Sequence, residues 1–502
     1  MSIEPSLPND AAAPSTARRW GVIGGGITGL TAAWELMRRS PGDEIVLFEA
    51  SERLGGILGT HRIGEWLVEQ AADMMVTEPD DGLSLFRELE LDGELLPTDP
   101  AKRGAMIWWN RRLYRIPDGF SLMAPSALWP IARTGLLSWR GKWRLARERS
   151  VPPRAVDADE DFESFAIRRC GPEAYERLIQ PLVSGIYTAD PRKLSMRATS
   201  LARFVQFEQK HGSLTRGLIA STRRSPDRGN RATGARYGMF VAPRAGMQQL
   251  IDRLAERLGD RIRTNSPVTD LRRIQGNASH PVVWQVTVDG SSERFDGIVL
   301  AAPAPRSATL LRTTDPSLAR RLAEIEHASC AVVVLGLRRP TGVPPVFGVL
   351  VPNAAGRPMI AAALTSHKFP GRAPADGLLV RVFFGGALNE PLTERPDDEL
   401  IRLAIDELRS TIGLRGDVEL SRVVRWTRAM PQYHVGHLDR VAEIERSAAA
   451  IPGLALAGNA LRGVGIPDCV RAGRRAARRL LGLPETPDRS DQGVSRANES
   501  RH

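Results

Sequence analysis

Val22-Ile23-Gly24-Gly25-Gly26-Ile27-Thr28-Gly29-Leu30 opens a small and apolar run to Leu36, and Ile45-Val46-Leu47-Phe48 then ends on Glu49. Strand, tight turn, helix, strand and acid in that order predict a dinucleotide cradle. Gly24 permits the turn, Gly26 lets backbone approach a pyrophosphate, and Gly29 lets the helix lie close to the sheet. The helix N-terminus then faces the phosphates. Gly25, Ile27 and Thr28 complete the turn, and Glu49 stands where a carboxylate accepts ribose hydroxyls. Glycines alone are weak evidence, and the acid at the end of the second strand strengthens them.

Ser51-Glu52-Arg53-Leu54-Gly55-Gly56 follows at once. Gly55 and Gly56 let the backbone turn beside a bound cofactor. Arg53 can offer charge to a pyrophosphate or to nearby carboxylates. A second glycine-rich segment lies near the other end of the chain. Leu454 to Ala457 reads as a strand ending on Gly458-Asn459, and Gly463-Val464-Gly465-Ile466-Pro467-Asp468-Cys469 leads into a helix over Val470 to Leu480. A cradle at one end and a closing segment at the other describe FAD better than NAD, because FAD is long and its flavin must reach a distant boundary.

The bulk numbers agree with an enzyme of this kind. The 502 residues are 42% apolar and 25% charged, an ordinary globular balance with room for two cores. The three cysteines, Cys170, Cys330 and Cys469, form no CxxC pattern, and their odd number argues against a disulfide framework. The eight histidines show no metal spacing, so no metal is expected. A net charge of +11 invites a nucleic-acid reading, but few aromatics interleave the arginines and no nucleic-acid motif is present. Acidic substrates or an anionic membrane surface fit the charge as well. No apolar run reaches the roughly 18 residues of a membrane span.

Between the cofactor segments, Met106 to Trp109 and Leu113-Tyr114 predict a hairpin, and Ala331 to Leu337 and Leu378 to Phe384 predict strands around a helix at Asp397 to Thr411. Phe120 to Ser138 is apolar with Arg133 its only charge, and Arg140, Lys142, Arg144, Arg147 and Arg149 follow with Glu148. That pattern suits either an element lying on anionic lipid or two helices packed on a neighbour with a solvated basic face. The expected fold class is α/β and α+β: a discontinuous Rossmann-like FAD-binding domain, a second mixed-sheet substrate domain, and a helical insertion that could face a membrane. The FAD-binding domain takes 19–90, 240–305 and 421–484. The substrate domain takes 91–239, with the helical insertion at about 119–200, and 306–420. Residues 1–18 and 485–502 are expected to be disordered tails, and 221–236 a mobile loop.

The chain resembles the oxygen-dependent porphyrinogen oxidase family of heme synthesis, within the amine-oxidase-like flavoproteins. The resemblance covers roughly residues 19 to 485 and rests on the Val22–Leu30 and Glu49–Gly56 segments. It rests further on Ser184-Gly185-Ile186-Tyr187-Thr188-Ala189-Asp190-Pro191-Arg192-Lys193-Leu194-Ser195, on Met430-Pro431-Gln432-Tyr433, and on Gly458-Asn459 through Asp468. The first two segments are shared across the superfamily, while the others point to porphyrinogen oxidases.

The resemblance implies that Gly24 to Gly29 with Glu49-Ala50 hold the ADP half of FAD. Ile57 and Ala71-Ala72-Asp73-Met74 would lie along the flavin, although the family's glycine and proline are missing before Asp73. Val268 would offer backbone to the adenine, Trp426 would lie near the isoalloxazine, and Val464-Gly465-Ile466 would close over it. Arg103 is the nearest match to an arginine that meets a substrate propionate; Lys102 competes, and a plain surface basic pair stays open. No catalytic base is identified. The implied reaction is six-electron oxidation of protoporphyrinogen IX by molecular oxygen, in three rounds, releasing hydrogen peroxide. Coproporphyrinogen III is the alternative substrate, and an amine oxidase or carotenoid desaturase the alternative class. Non-covalent FAD, a porphyrinogen and oxygen are the expected partners, without nucleic acid; an anionic membrane surface and a homodimer stay open. The expected location is cytoplasmic, with peripheral contact at the inner face of the cell membrane as an option.

Overall fold

Parallel strands covered on both faces read as continuous apolar runs. Four of the five residues of Arg19–Ile23 and of Glu44–Phe48 are buried. They form the centre of a five-stranded parallel sheet ordered Ile262–Arg263, Glu44–Phe48, Arg19–Ile23, Gly297–Leu300, Leu454–Leu456. The computed structural model describes residues 17–155, 158–223, 240–275 and 282–484. Three separated stretches of chain therefore meet in one sheet. The Ile27–Arg39 and Ile466–Leu480 helices cover one face through Leu30, Ala33, Val470 and Ala477. The antiparallel strands Val268–Gln275, Val282–Val288 and Ser291–Phe295 and the Ala304–Leu311 helix cover the other.

A second sheet has seven strands, ordered Arg415–Pro431, His327–Thr341, Gly377–Gly385, Ala361–Leu364, Gly348–Leu350, Ala105–Trp109, Arg112–Arg115. All neighbours are antiparallel except Gly348–Leu350 on Ala105–Trp109. Side chains alternate between its faces. Ala331, Val333, Leu335, Val380 and Val382 pack against Leu400, Ala404 and Leu408 of the Asp397–Ile412 helix. Val332, Val334 and Leu379 face the other way, toward Trp66 and Val68. The α/β and mixed-sheet class expected from the sequence is present.

Helices from Trp129 to Arg223 form a third body. Phe120, Leu122, Met123, Ile131, Leu136, Leu137 and Leu145 are all buried in its core. Most of the apolar stretch weighed as a lipid-facing element is thus interior packing. Its tryptophans are the exception: Trp129, Trp139 and Trp143 are 69, 71 and 57% exposed. Among the described residues no helix is long and apolar enough to cross a membrane.

Three local expectations shift. The last helix begins at Ile466 rather than Val470, because Pro467 fits the first turn, where its missing N–H costs nothing, and Asp468 follows it. The Arg415–Pro431 strand runs unbroken through the expected boundary at 420/421. The loop expected at 221–236 is helical to Arg223, and the rest of it lies outside the described residues, as do 1–16 and the tail from 485.

Candidate functional site

At the cradle, Gly24 N donates to Phe48 O at 2.8 Å and sits at φ +111°, where only glycine is unstrained. A Cβ on Gly29 would stand 1.9 Å from Gly24 O, so helix and turn touch without a side chain between them. Gly26 is different: a Cβ there meets nothing within 4 Å. The space that a side chain on Gly26 would take is open. The helix has no side-chain cap at Gly26 and no acid in its first turn. Gly465, before the Ile466–Leu480 helix, likewise supplies no side-chain cap. The two helices run in the same direction. Gly473 lies so close that a Cβ would be 2.3 Å from Thr28 O, and Arg478 reaches Glu35 further along. The N-terminus of the Ile27–Arg39 helix, with neither cap nor first-turn acid, favours an anion, whereas Asp468 already lies beside Gly463 and Gly465 at the start of the other helix.

Hydrogen bonds link several of the expected residues around the turn. Glu49 Oε2 accepts from Gly25 N at 2.7 Å, and Oε1 accepts from Ser51 N at 2.8 Å. The carboxylate thus fixes the turn; Ala50 beside it is exposed. Gly55 N donates to Gly25 O at 2.8 Å, and Gly56 adjoins Gly26. Arg53 folds back on its own loop, donating to the carbonyls of Leu54, Gly56 and Leu58. It shapes the loop rather than reaching outward. Ile57 is 40% exposed. Ser266 N donates to Glu49 O, placing Val268 two residues beyond, but Arg306 donates to Val268 O at 2.7 Å. That carbonyl is therefore occupied by an arginine that the sequence reading did not connect with it.

Further along the chain of contacts, Gln70 N donates to Gly59 O at 2.8 Å and Trp426 Nε1 donates to Gln70 O at 3.1 Å. Gln70 begins the Ala71–Met74 stretch, of which Ala71, Ala72 and Met74 are half-buried and Asp73 is buried. Asp73 points into an ion cluster. Lys368 Nζ is 2.9 Å and Arg381 Nη1 3.6 Å from Asp73 Oδ2, and Arg381 also donates to Ala71 O. Burial works to raise the Asp73 carboxyl, and the two cations outweigh it and hold it below its ordinary value. Beneath lie Glu69 and Arg372, 3.8 Å apart and fully buried. Burial pushes the Glu69 carboxyl up to about 7 even though Thr60 Oγ1 and Met247 N donate to it. Sequence reading missed Lys368, Arg372 and Arg381; three cations near two strands of one sheet carry no spacing that announces a cluster.

Gly458 and Gly463 bound the closing loop, with φ of +143° and +142°. Tyr433 Oη donates to Asn459 O and accepts from Gly463 N at 2.8 Å. Val464 packs on the helical body, and Gly465 and Ile466 follow into the helix. Arg103 stands apart. Its loop joins the cluster through Asp99 N, which donates to Lys368 O at 2.9 Å, and its buried Nε has no hydrogen-bond partner.

Residues 27–481 match the model of the flavin containing amine oxidoreductases. The chain belongs to that family. It is an oxidoreductase with FAD as its cofactor, and the open space at Gly26, at the uncapped N-terminus of the Ile27–Arg39 helix, fits that group. The chain is 34% identical to a coproporphyrinogen III oxidase of Propionibacterium freudenreichii subsp. freudenreichii, over 93% of either protein. It is 31% identical to a protoporphyrinogen oxidase of Bos taurus, over 92% of this chain and 98% of that one. A solved protein of Exiguobacterium sp. 255-15, provisionally described as a protoporphyrinogen oxidase, superposes with a TM-score of 0.81 at 28% identity, covering 93% of this chain and 99% of that one.

Proposed function

We propose that the chain oxidises a porphyrinogen to a porphyrin in heme biosynthesis, with molecular oxygen as electron acceptor and hydrogen peroxide as second product. The observation that carries this reading joins sequence to geometry. Ser184 to Ser195, the segment that resembles porphyrinogen oxidases, is fastened to the Tyr433–Val435 run, whose tyrosine holds the Asn459–Gly463 loop. Ser195 N donates to Tyr433 O at 2.8 Å, Val435 N donates to Lys193 O at 2.8 Å, and Leu194 bridges to His434. From the same segment, Gly185 approaches Leu350 of the seven-stranded sheet, a Cβ there standing 3.5 Å from the leucine side chain. Two relatives that act on porphyrinogens match nearly the whole chain.

Bound FAD accepts hydride equivalents from an electron-rich substrate. The protein's part is to place that substrate. The Gly24–Gly29 turn with Glu49 holds the ADP half, Gly458 to Ile466 closes over the flavin, and Trp426 and the Gln70–Met74 stretch form the facing wall. Arg103, with a buried and unpartnered Nε, is the residue proposed to pair with a propionate. Coproporphyrinogen III, with four propionates, is the first substrate to assay, given Lys102 beside Arg103 and the relative at 34% identity. Protoporphyrinogen IX is the second reading, carried by the Bos taurus relative. Parallel turnover assays of the two separate them.

The proposal extends to place. Trp129, Trp139 and Trp143 are exposed, and Arg133, Arg140 and Arg147 lie over their rings at 6.0, 5.3 and 4.6 Å. Tryptophan with arginine suits the headgroup level of an anionic leaflet, so a cytoplasmic protein in peripheral contact with the inner face of the membrane is proposed.

A further inference from the structure

Gly458 and Gly463 give the loop between them two positive-φ ends that carry no side chain. Its shape must therefore be imposed from outside. Two stacked rings impose it. Tyr433 and His437 lie 4.1 Å apart at 15°, and they are 2 and 0% exposed. Tyr433 Oη joins Asn459 O to Gly463 N, tying together the two ends of the loop. His437 Nε2 bonds Leu461 O at 2.9 Å. A carbonyl only accepts, so Nε2 carries the proton and Nδ1 does not. Burial pushes this imidazole down to about 4, which keeps it neutral and in that tautomer. The same run of chain also reaches the Gln70–Met74 stretch, because Trp426 Nε1 donates to Gln70 O at 3.1 Å.

We infer that the segment from Trp426 to His437 is a strap setting the distance between the two walls of the flavin groove, with Tyr433 and His437 as its positioning residues. Neither ring need touch the cofactor. They act by holding Gly463 to Ile466, and with it the N-terminus of the Ile466–Leu480 helix, against the groove. The inference rests on the reading that FAD lies between these walls. It adds that the affinity and potential of the flavin depend on three backbone hydrogen bonds made by residues outside the cradle.

Tyr433→Phe tests it, since the ring and its stack on His437 are kept and only the bridging hydroxyl is lost. Wild-type and variant apoproteins are titrated with FAD, and the midpoint potential and visible spectrum of each holoenzyme are recorded. The expected result is roughly tenfold weaker FAD binding, the usual effect of leaving one buried polar group unpaired. A shifted potential and a larger loss of Tm in the holoprotein than in the apoprotein should accompany it. His437→Gln retains a donor for Leu461 O and should recover most of the affinity that His437→Leu loses. Unchanged affinity and potential in Tyr433→Phe, or equal Tm losses with and without FAD, would overturn the inference and leave the rings a structural role. If wild-type apoprotein takes up no FAD, the reading of the groove falls first and the strap with it.

Discussion

Gly26→Ala separates binding from folding at one position. The backbone there has φ −71° and ψ 172°, extended geometry open to any residue, and the new methyl would meet no protein atom within 4 Å. Two small effects on the apoprotein nearly cancel. A stiffer unfolded chain adds about 0.4–1 kcal/mol of stability, and alanine is poorer than glycine ahead of a helix by a similar amount. The apoprotein should therefore unfold within about 1 kcal/mol of wild type. With FAD the methyl intrudes on the pyrophosphate, and overpacking costs about 1–3 kcal/mol. Affinity should fall by about 5- to 150-fold. Gly29→Ala is the control with the opposite signature, because its Cβ stands 1.9 Å from Gly24 O and the fold itself must give. Apoprotein denaturation and FAD titration measure the two effects. Wild-type FAD affinity in Gly26→Ala, or an apoprotein as damaged as that of Gly29→Ala, would refute the placement of the pyrophosphate.

Lys368→Met leaves buried Asp73 with Arg381, 3.6 Å away, and the more distant Arg372, and should destabilise the protein by about 3 kcal/mol, with Asp73→Asn/Lys368→Met recovering part of the loss in a denaturant double-mutant cycle. Because Asp73 ionises more readily folded than unfolded, its stabilisation is present above its ordinary pKa and disappears as pH falls through the folded value; the single and double variants should show a shallower acid limb than wild type in pH-dependent melts. Trp139→Ser with Trp143→Ser should abolish co-sedimentation with anionic vesicles at low salt while Tm holds, since both rings are mostly exposed; absence of wild-type binding to such vesicles would remove the membrane proposal.

The parallel sheet was legible because its chemistry is local. Gly24, Gly29 and Glu49 satisfy backbone demands inside one continuous strand–turn–helix–strand unit, where Gly24 N bonds Phe48 O and Glu49 bonds Gly25 N. The second sheet was half legible. Ala331 to Leu337 and Leu378 to Phe384 announce buried strands, while Arg415–Pro431 does not. That strand has five exposed residues at its start and half-buried ones along its middle, the look of an edge. Long-range partners were not legible at all. Tyr433 was noticed through resemblance, yet its bonds to Asn459 and Gly463 span about 30 residues of sequence. His437 passed as an ordinary histidine, since nothing near it in sequence foretells the stack. Asp73 was placed along the flavin by resemblance alone, and only the fold could bring Lys368 and Arg381 to it. The tryptophans of the helical body show the limit from the other side: amphipathic composition was visible, but not that Ile131 and Leu145 turn inward while Trp129 and Trp143 turn out.

The central claim is that this flavin groove oxidises porphyrinogens. Its most direct test is steady-state turnover of purified holoenzyme on coproporphyrinogen III and protoporphyrinogen IX in oxygenated buffer, followed by porphyrin fluorescence with hydrogen peroxide measured in parallel. The account predicts porphyrin formation with three peroxide molecules released per macrocycle, and a higher kcat/KM for coproporphyrinogen III, the ratio reporting differential stabilisation of the two transition states. FAD-loaded protein that turns over neither porphyrinogen, while oxidising an amine, would contradict it.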